Sequence, residues 1–216
     1  MYLLFDLDGT LTEPEAGITA SIKYALKKFG IEETDRAKLR LCIGPPLIDS
    51  FEKFWGFDRE KAVKAVAYYR EYFADKGIFE NEIYKGIPEM LAALQSLGHK
   101  IILATSKPEE YAGRILEHFD ILQYFNCVAG NTLKEERPKK EDVLAYIKQL
   151  YPDLNSENGV MIGDRKYDVE GAHSLSLSCI GVLYGHGTRE ELESAGADYL
   201  AENVEKLHKV IMEITK

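Results

Sequence analysis

Cysteine is scarce in this chain, and what there is cannot pair. Three cysteines in 216 residues, Cys42, Cys127 and Cys179, stand far apart, with no Cys-x-x-Cys spacing. That pattern excludes a disulfide framework and a thiolate zinc site; it reads as buried, reduced thiols and predicts a cytoplasmic protein. Long apolar runs are missing too, so no membrane span is expected. Met1 to Phe5 lead straight to an aspartate, without the basic start and extended apolar stretch of a signal or transit peptide. Positive charge is in deficit, with 27 Lys and Arg against 36 Asp and Glu, a formal charge of -9. Repulsion then works against nucleic acid or an anionic membrane as partner. An anionic substrate would need a local positive field, from a metal or a few placed cations.

What is present is ordinary globular material: 45% hydrophobic and 29% charged residues, enough for a sizeable core. Short apolar runs of buried-strand character occur at Tyr2-Leu3-Leu4-Phe5, Lys100 to Ala104, Cys127-Val128-Ala129, Gly159 to Ile162 and Cys179 to Leu183. Between them lie amphipathic helical patterns, such as Met90, Leu91, Leu94 and Leu97, or Val143, Leu144, Ile147 and Leu150. Strand alternating with helix predicts an α/β fold, a Rossmann-like parallel sheet with helices on both sides. From about Ile18 to Ala74 the alternation stops and only helical patterns occur. Helices are expected over Ala20 to Phe29 and Arg59 to Phe73, with Gly44-Pro45-Pro46 as a turn. The predicted organisation is therefore a core of residues 1–14 and 82–216 with an all-helical insertion at 15–81.

In a parallel sheet, ligands bind beyond the carboxyl ends of the strands. Three runs end in groups suited to a phosphate: Asp6-Leu7-Asp8-Gly9-Thr10, then Thr105-Ser106-Lys107, then Gly163-Asp164. Asp6 and Asp8, two apart, can share one side of the chain. Asp164 is expected to begin a helix with Asp168 one turn on. Acidic residues at strand ends also cap turns, and Asp164 and Asp168 also suit a helix N-terminus. Carboxylates gathered at one rim repel unless a cation joins them, and oxygen ligands without His or Cys point to magnesium.

With these motifs in this order, the chain resembles the haloacid dehalogenase superfamily. Asp6-Leu7-Asp8-Gly9-Thr10 is similar to its first motif, Thr105 to its second and Gly163-Asp164-Arg165-Lys166-Tyr167-Asp168 to its fourth. For the third, a lysine opening a helix, Lys140-Glu141-Asp142-Val143 is the preferred match, with Lys139 and Arg137-Pro138 as the alternatives. Tyr84-Lys85-Gly86-Ile87-Pro88, Ser106-Lys107-Pro108 and Ala195-Gly196-Ala197-Asp198 resemble the phosphoglycolate phosphatase-like branch and its bacterial relatives labelled 5'-nucleotidases. The helical insertion lies where that branch carries its cap. One departure is Ser106, where many relatives have asparagine, which bears on substrate preference.

The resemblance implies a Mg2+-dependent phosphomonoesterase acting on a small phosphorylated metabolite, such as 2-phosphoglycolate or a nucleoside monophosphate. Asp6 would be the nucleophile and Asp8 the acid and base. Mg2+ would be held by Asp6, the Asp8 backbone carbonyl and Asp164. Thr105 and Ser106 would bind phosphate, Gly9 would admit it to backbone amides, and Thr10 would fix Asp8. Lys140 would balance charge on Asp6, with Asp168 orienting Lys140 or a metal-bound water. An acid at position 8 favours phosphate esters over halides, because an alkoxide needs a proton to leave. A phosphomutase of the β-phosphoglucomutase type and a non-catalytic phosphate-binding module are the rivals. Neither nucleic acid nor membrane is expected as a partner, and the chain is expected to be a monomer or weak homodimer. His186, between two glycines, is read as part of a flexible loop. Trp55 with Phe51, Phe54 and Phe57 is read as packing within the insertion; Arg40 and Arg70 are weaker candidates for a second anionic group.

Overall fold

The computed structural model describes residues 1–215 and divides into two compact units, Met1–Thr12 with Ile83–Lys216, and Glu13–Glu82. The first unit is built on a six-stranded sheet: β1 (Tyr2–Phe5), β4 (Lys100–Pro108), β5 (Cys127–Asn131), β6 (Gly159–Gly163), β7 (Ser178–Val182) and β8 (Tyr199–Ala201). Their order is β5-β4-β1-β6-β7-β8, and every pairing is parallel. β1, the first strand in the chain, sits inside the sheet, so all four of its residues are buried and its sequence is apolar throughout. Helices α5 (Ile87–Ser96), α6 (Glu109–His118), α7 (Lys140–Leu150), α8 (Lys166–Ser174), α9 (Arg189–Ala195) and α10 (Val204–Ile214) connect and follow the strands. On one face, Val143, Leu144 and Ile147 of α7 and Val169 and Ala172 of α8 pack against Met161 of β6. This burial drives the apolar stripe of each helix onto the sheet.

Two further short strands, β2 (Thr12–Glu13) and β3 (Glu82–Ile83), pair as a separate ribbon where the chain passes from one unit to the other. The sequence suggested that the sheet resumes near Tyr84; the main sheet resumes only at β4. β8 was not anticipated at all.

The second unit holds α1 (Glu15–Lys27), α2 (Arg36–Arg40), α3 (Leu47–Trp55) and α4 (Arg59–Tyr72), with a π-type turn over Phe73–Gly77. α4 is started by Asp58, whose carboxylate accepts from the Lys61 amide. Phe51 and Phe57 are buried and their rings stack at 6.0 Å, while Trp55 donates its indole N–H to Glu33 at 3.1 Å. The aromatic set is thus packing. Arg40 lies 3.3 Å from Glu15, which Arg36 also engages, so its charge is balanced within the unit.

Glu33 is the polar hub here. The Asp35 amide, then Lys38 and Trp55, donate to its carboxylate and outweigh burial, holding it down at about 2. A depressed carboxyl stabilises the fold above its unfolded value and loses that contribution as pH falls through the folded one. Glu33→Gln is expected to cost about 1–2 kcal/mol at neutral pH. The gap from wild type should shrink between the ordinary carboxylate range and about pH 2, as read by urea titrations across that range. A gap independent of pH would contradict this assignment.

Candidate active site

Asp6 is the first residue past β1, with its amide donating to Ile162 O of β6 at 2.9 Å. It therefore stands at the carboxyl end of an interior strand, where a parallel sheet exposes its ligand-binding crevice. The side chain is buried, 8% exposed, and Lys140 Nζ lies 2.8 Å from its Oδ1. Lys140 opens α7, and the neighbouring packing buries its ammonium as well. It also donates to Ala104 O of β4 at 2.7 Å and sits 2.8 Å from Asp168 Oδ1. Burial alone would lower this lysine; the facing carboxylates of Asp168 and Asp6 overcome that and hold its ammonium well above the ordinary range.

Of the three cations considered for this place, Lys140 is the one brought to Asp6. Arg137 instead donates to Gly130 O and pairs with Glu109 at 2.6 Å, and Lys139 is exposed at the N-cap of α7.

Asp8 takes a different partner. Its Oδ2 lies 2.9 Å from Lys107 Nζ, a pair in which both side chains are largely buried. Burial raises the Asp8 carboxyl; Lys107 pulls it back and Asp6 pushes it up again, with a net rise. Thr10 does not reach Asp8: its hydroxyl is buried and makes no hydrogen bond. The sequence places Lys107 in Thr105-Ser106-Lys107 and Ser106-Lys107-Pro108 but assigns it no partner at Asp8. A cation two residues past a strand-end threonine was the available signal. Thr105 is buried and accepts from the Lys107 amide at 3.2 Å, which ties the end of β4 to the same corner; half-buried Ser106 lies between them.

Asp164 follows β6 directly. It does not begin a helix, as the sequence suggested: α8 starts at Lys166, with Arg165 as N-cap. Asp168 is at the third position of that helix and accepts from the Arg165 amide at 3.0 Å, closing a capping box. Asp6, Asp164 and Asp168 are all buried and offer carboxylate oxygens within 4.8 Å of one another. Burial, then Asp168 and Asp6, raise Asp164 well above the usual carboxylate range. Burial likewise pushes Asp168 up to about 6 against the pull of Lys140.

These residues fit a hard divalent cation. Asp164 Oδ2 accepts from the His186 amide at 2.7 Å, while its Oδ1 is buried with no hydrogen-bond partner. An ionised carboxylate in that position is costly unless a cation meets it. Both oxygens of Asp168 are engaged, Oδ1 by Lys140 and Oδ2 by the Arg165 amide, whereas Lys140 meets Asp6 at Oδ1, so the carboxylates best placed for an ion are those of Asp6 and Asp164. The set is all oxygen, the donor type magnesium prefers.

Gly9 makes the corner possible. Its φ is +84°, and a Cβ there would collide with Asp164 Oδ2. His186 lies in the loop after β7, as its flanking glycines suggested, and its backbone amide donates to Asp164 Oδ2. Among the described residues, no helix is long and apolar enough to cross a membrane.

Comparison with known proteins agrees with this geometry. The model of the haloacid dehalogenase-like hydrolases matches residues 3–182. A 5'-nucleotidase of Pseudomonas aeruginosa is 41% identical over 97% of this chain and 94% of its own length. The tyrosine-protein kinase PtkA of Mycobacterium tuberculosis is 36% identical over 88% of this chain, but that match spans only 65% of the kinase. Among solved structures, a predicted phosphatase from Clostridium acetobutylicum superposes with a TM-score of 0.94 at 47% identity, covering 98% of both chains. With its buried Asp6–Lys140 pair at the rim of a parallel sheet and matches of this extent, the chain belongs to the haloacid dehalogenase-like hydrolase family, among its phosphatases.

Proposed function

We propose that the chain hydrolyses small phosphomonoesters through a phosphorylated Asp6. The observation that carries this reading is the segregation of two aspartates only two residues apart. Asp6 is paired with Lys140, whereas Asp8 is paired with Lys107 and has a raised carboxyl. Lys140 thereby orients Asp6 as the nucleophile, while Asp8, with its raised carboxyl, is the group able to carry a proton. Pairs of titratable groups in such divergent settings are how one site supplies both roles.

In the first half-reaction a carboxylate oxygen of Asp6 attacks phosphorus and the bond to the leaving oxygen breaks. Protonated Asp8 gives its proton to that oxygen, so the product departs as an alcohol. In the second half, Asp8 takes a proton from water, which attacks the same phosphorus and releases Asp6 as a carboxylate and phosphate as the product. Lys140 holds Asp6 Oδ1 throughout, orienting the carboxylate and offsetting charge on the transferring group. The Thr105 hydroxyl and the amides around Gly9 are the donors suited to phosphoryl oxygens. Magnesium, when bound by Asp6, Asp164 and the Asp8 carbonyl, would neutralise part of the charge between a carboxylate and an anionic ester.

We assign substrate selection to the Glu13–Glu82 unit, whose exchange for another helical unit would change the metabolite without changing the chemistry. The substrate class is a phosphorylated small acid or a nucleoside monophosphate, the latter supported by the relative named a 5'-nucleotidase. Phosphate release from a panel of such esters, with Mg2+ and with EDTA, tests this directly. Metal-dependent release supports it, and release from no ester would overturn it.

The Lys107–Asp8 pair makes a finer prediction. Lys107→Met is expected to lower kcat about 10–100-fold on alkyl phosphates, because Asp8 loses the contact that aims it. On p-nitrophenyl phosphate, whose phenolate leaves without a proton, the loss should be much smaller. Equal losses on both ester types would contradict the role given to Asp8.

A further inference from the structure

The loop after β7, Tyr184-Gly185-His186-Gly187, matches no motif of the sequence analysis, yet it joins the two ends of the site. Tyr184 donates its hydroxyl to Thr10 O at 2.9 Å, and the His186 amide donates to Asp164 Oδ2 at 2.7 Å. The Tyr184 ring is fixed edge-on by Tyr84, with centroids 4.9 Å apart. Between these two bonds the loop lies against the backbone it holds. A Cβ on Gly185 would collide with Gly9 O and lie 2.5 Å from Asp164 Cβ, and one on Gly187 would collide with Asp164 O. Glycine at 185 and 187 is therefore a requirement of close approach.

We infer that this loop is a positioning element that fixes the spacing of the Asp6–Thr10 turn from Asp164 and reserves a single Asp164 oxygen for the cation. It rests on the reading of Asp164 as a cation ligand. The argument is one of division of labour on one carboxylate: the His186 amide occupies Oδ2, leaving the buried Oδ1 without a protein partner. A carboxylate so engaged presents one oxygen. Calcium takes six to eight oxygens and readily uses both of a carboxylate, whereas magnesium requires a tight octahedron and takes one. The loop would therefore set selectivity for the smaller ion as well as affinity for it. Its backbone and tyrosine act through Asp164 and the Thr10 carbonyl, without touching the reacting atoms.

The test is calorimetric titration of the metal-free chain with MgCl2 and, separately, with CaCl2, using the melting temperature to check folding. Gly185→Ala is expected to weaken Mg2+ binding about tenfold or more, the scale on which support of a metal ligand is usually felt. Ca2+ binding should suffer less, so the preference for Mg2+ narrows. Tyr184→Phe keeps the ring and removes only the bond to Thr10, and is expected to weaken Mg2+ binding about threefold with the fold intact. Folded variants that keep both the wild-type Mg2+ affinity and the wild-type ion preference would overturn the inference; should Gly185→Ala fail to fold, Tyr184→Phe decides alone. If wild type binds Mg2+ and Asp164→Asn does not, the reading of Asp164 stands whatever the loop variants do. A wild-type chain that binds no Mg2+ overturns both.

Discussion

Replacing Asp6 by asparagine is expected to lower kcat for phosphomonoester hydrolysis at least about 10⁴-fold, the scale of losing a covalent nucleophile. The variant keeps the shape of the side chain and an oxygen for Lys140, so its melting temperature should stay close to that of wild type. An amide cannot form the acyl phosphate in the same way, and no neighbouring group replaces it. Asp8 is turned to Lys107, and Asp168 is held by Lys140 and the Arg165 amide. Steady-state rates on the best ester of the panel decide the matter. Retention of more than about 1% of activity would remove Asp6 from the role of nucleophile, since supporting groups typically account for 10²–10³-fold effects.

The second large effect is on stability. Lys140→Met is expected to destabilise the fold by about 3–5 kcal/mol, because it leaves buried carboxylates without their counter-charge. Asp6, Asp168 and Ala104 O all lose a contact of 2.7–2.8 Å. The loss has a definite pH dependence. Asp168 is already pushed up to about 6 with the ammonium beside it, and without that ammonium it rises further. A carboxyl whose folded value exceeds its unfolded one costs stability as pH rises between the two. The variant should therefore be worst at neutral and alkaline pH, with recovery that begins above the wild-type value of about 6 and continues as pH falls toward the ordinary carboxylate range. Lys140 itself is raised, so its own contribution in wild type is present below the ordinary lysine range and is lost only at higher, strongly alkaline pH. Chemical denaturation of wild type and variant from pH 5 to 9 measures the difference. A Lys140→Met/Asp168→Asn double variant should regain part of the loss, since one unpaired carboxylate is gone.

Much of the sheet could be read from the chain because interior parallel strands are apolar on both faces. Tyr2–Phe5, Gly159–Gly163 and Ser178–Val182 each announce themselves by composition alone. β8 does not, because it is an edge strand of three residues in which Tyr199 is exposed and only Ala201 is buried. β2 and β3, two residues each, carry no periodicity to detect. In the helical unit the start of α1 was placed late, since Pro14 and Glu15 give the N-terminus by backbone geometry and charge, without a side-chain cap.

The site divides along similar lines. Asp6 and Asp164 follow directly on strands, and Thr105 follows the apolar run within β4, so their convergence at one rim follows from parallel topology. Lys140 could be named only from resemblance, because a buried ammonium reaching back across 134 positions leaves no local trace. The pairing of Lys107 with Asp8 and the hold of the His186 amide on Asp164 are likewise contacts between distant segments. Backbone donors in particular have no residue signature beyond the glycines that let them approach.

The central claim is a covalent one: phosphate passes through Asp6. Its most direct test is a single turnover quenched with acid, reduced with borohydride, which converts an acyl-phosphorylated aspartate to homoserine, and mapped by peptide mass spectrometry. The account predicts homoserine at position 6 in wild type, accumulating with substrate, and absent without substrate. Full turnover with Asp6 never modified, or modification at Asp8, Asp164 or Asp168 in its place, would contradict it.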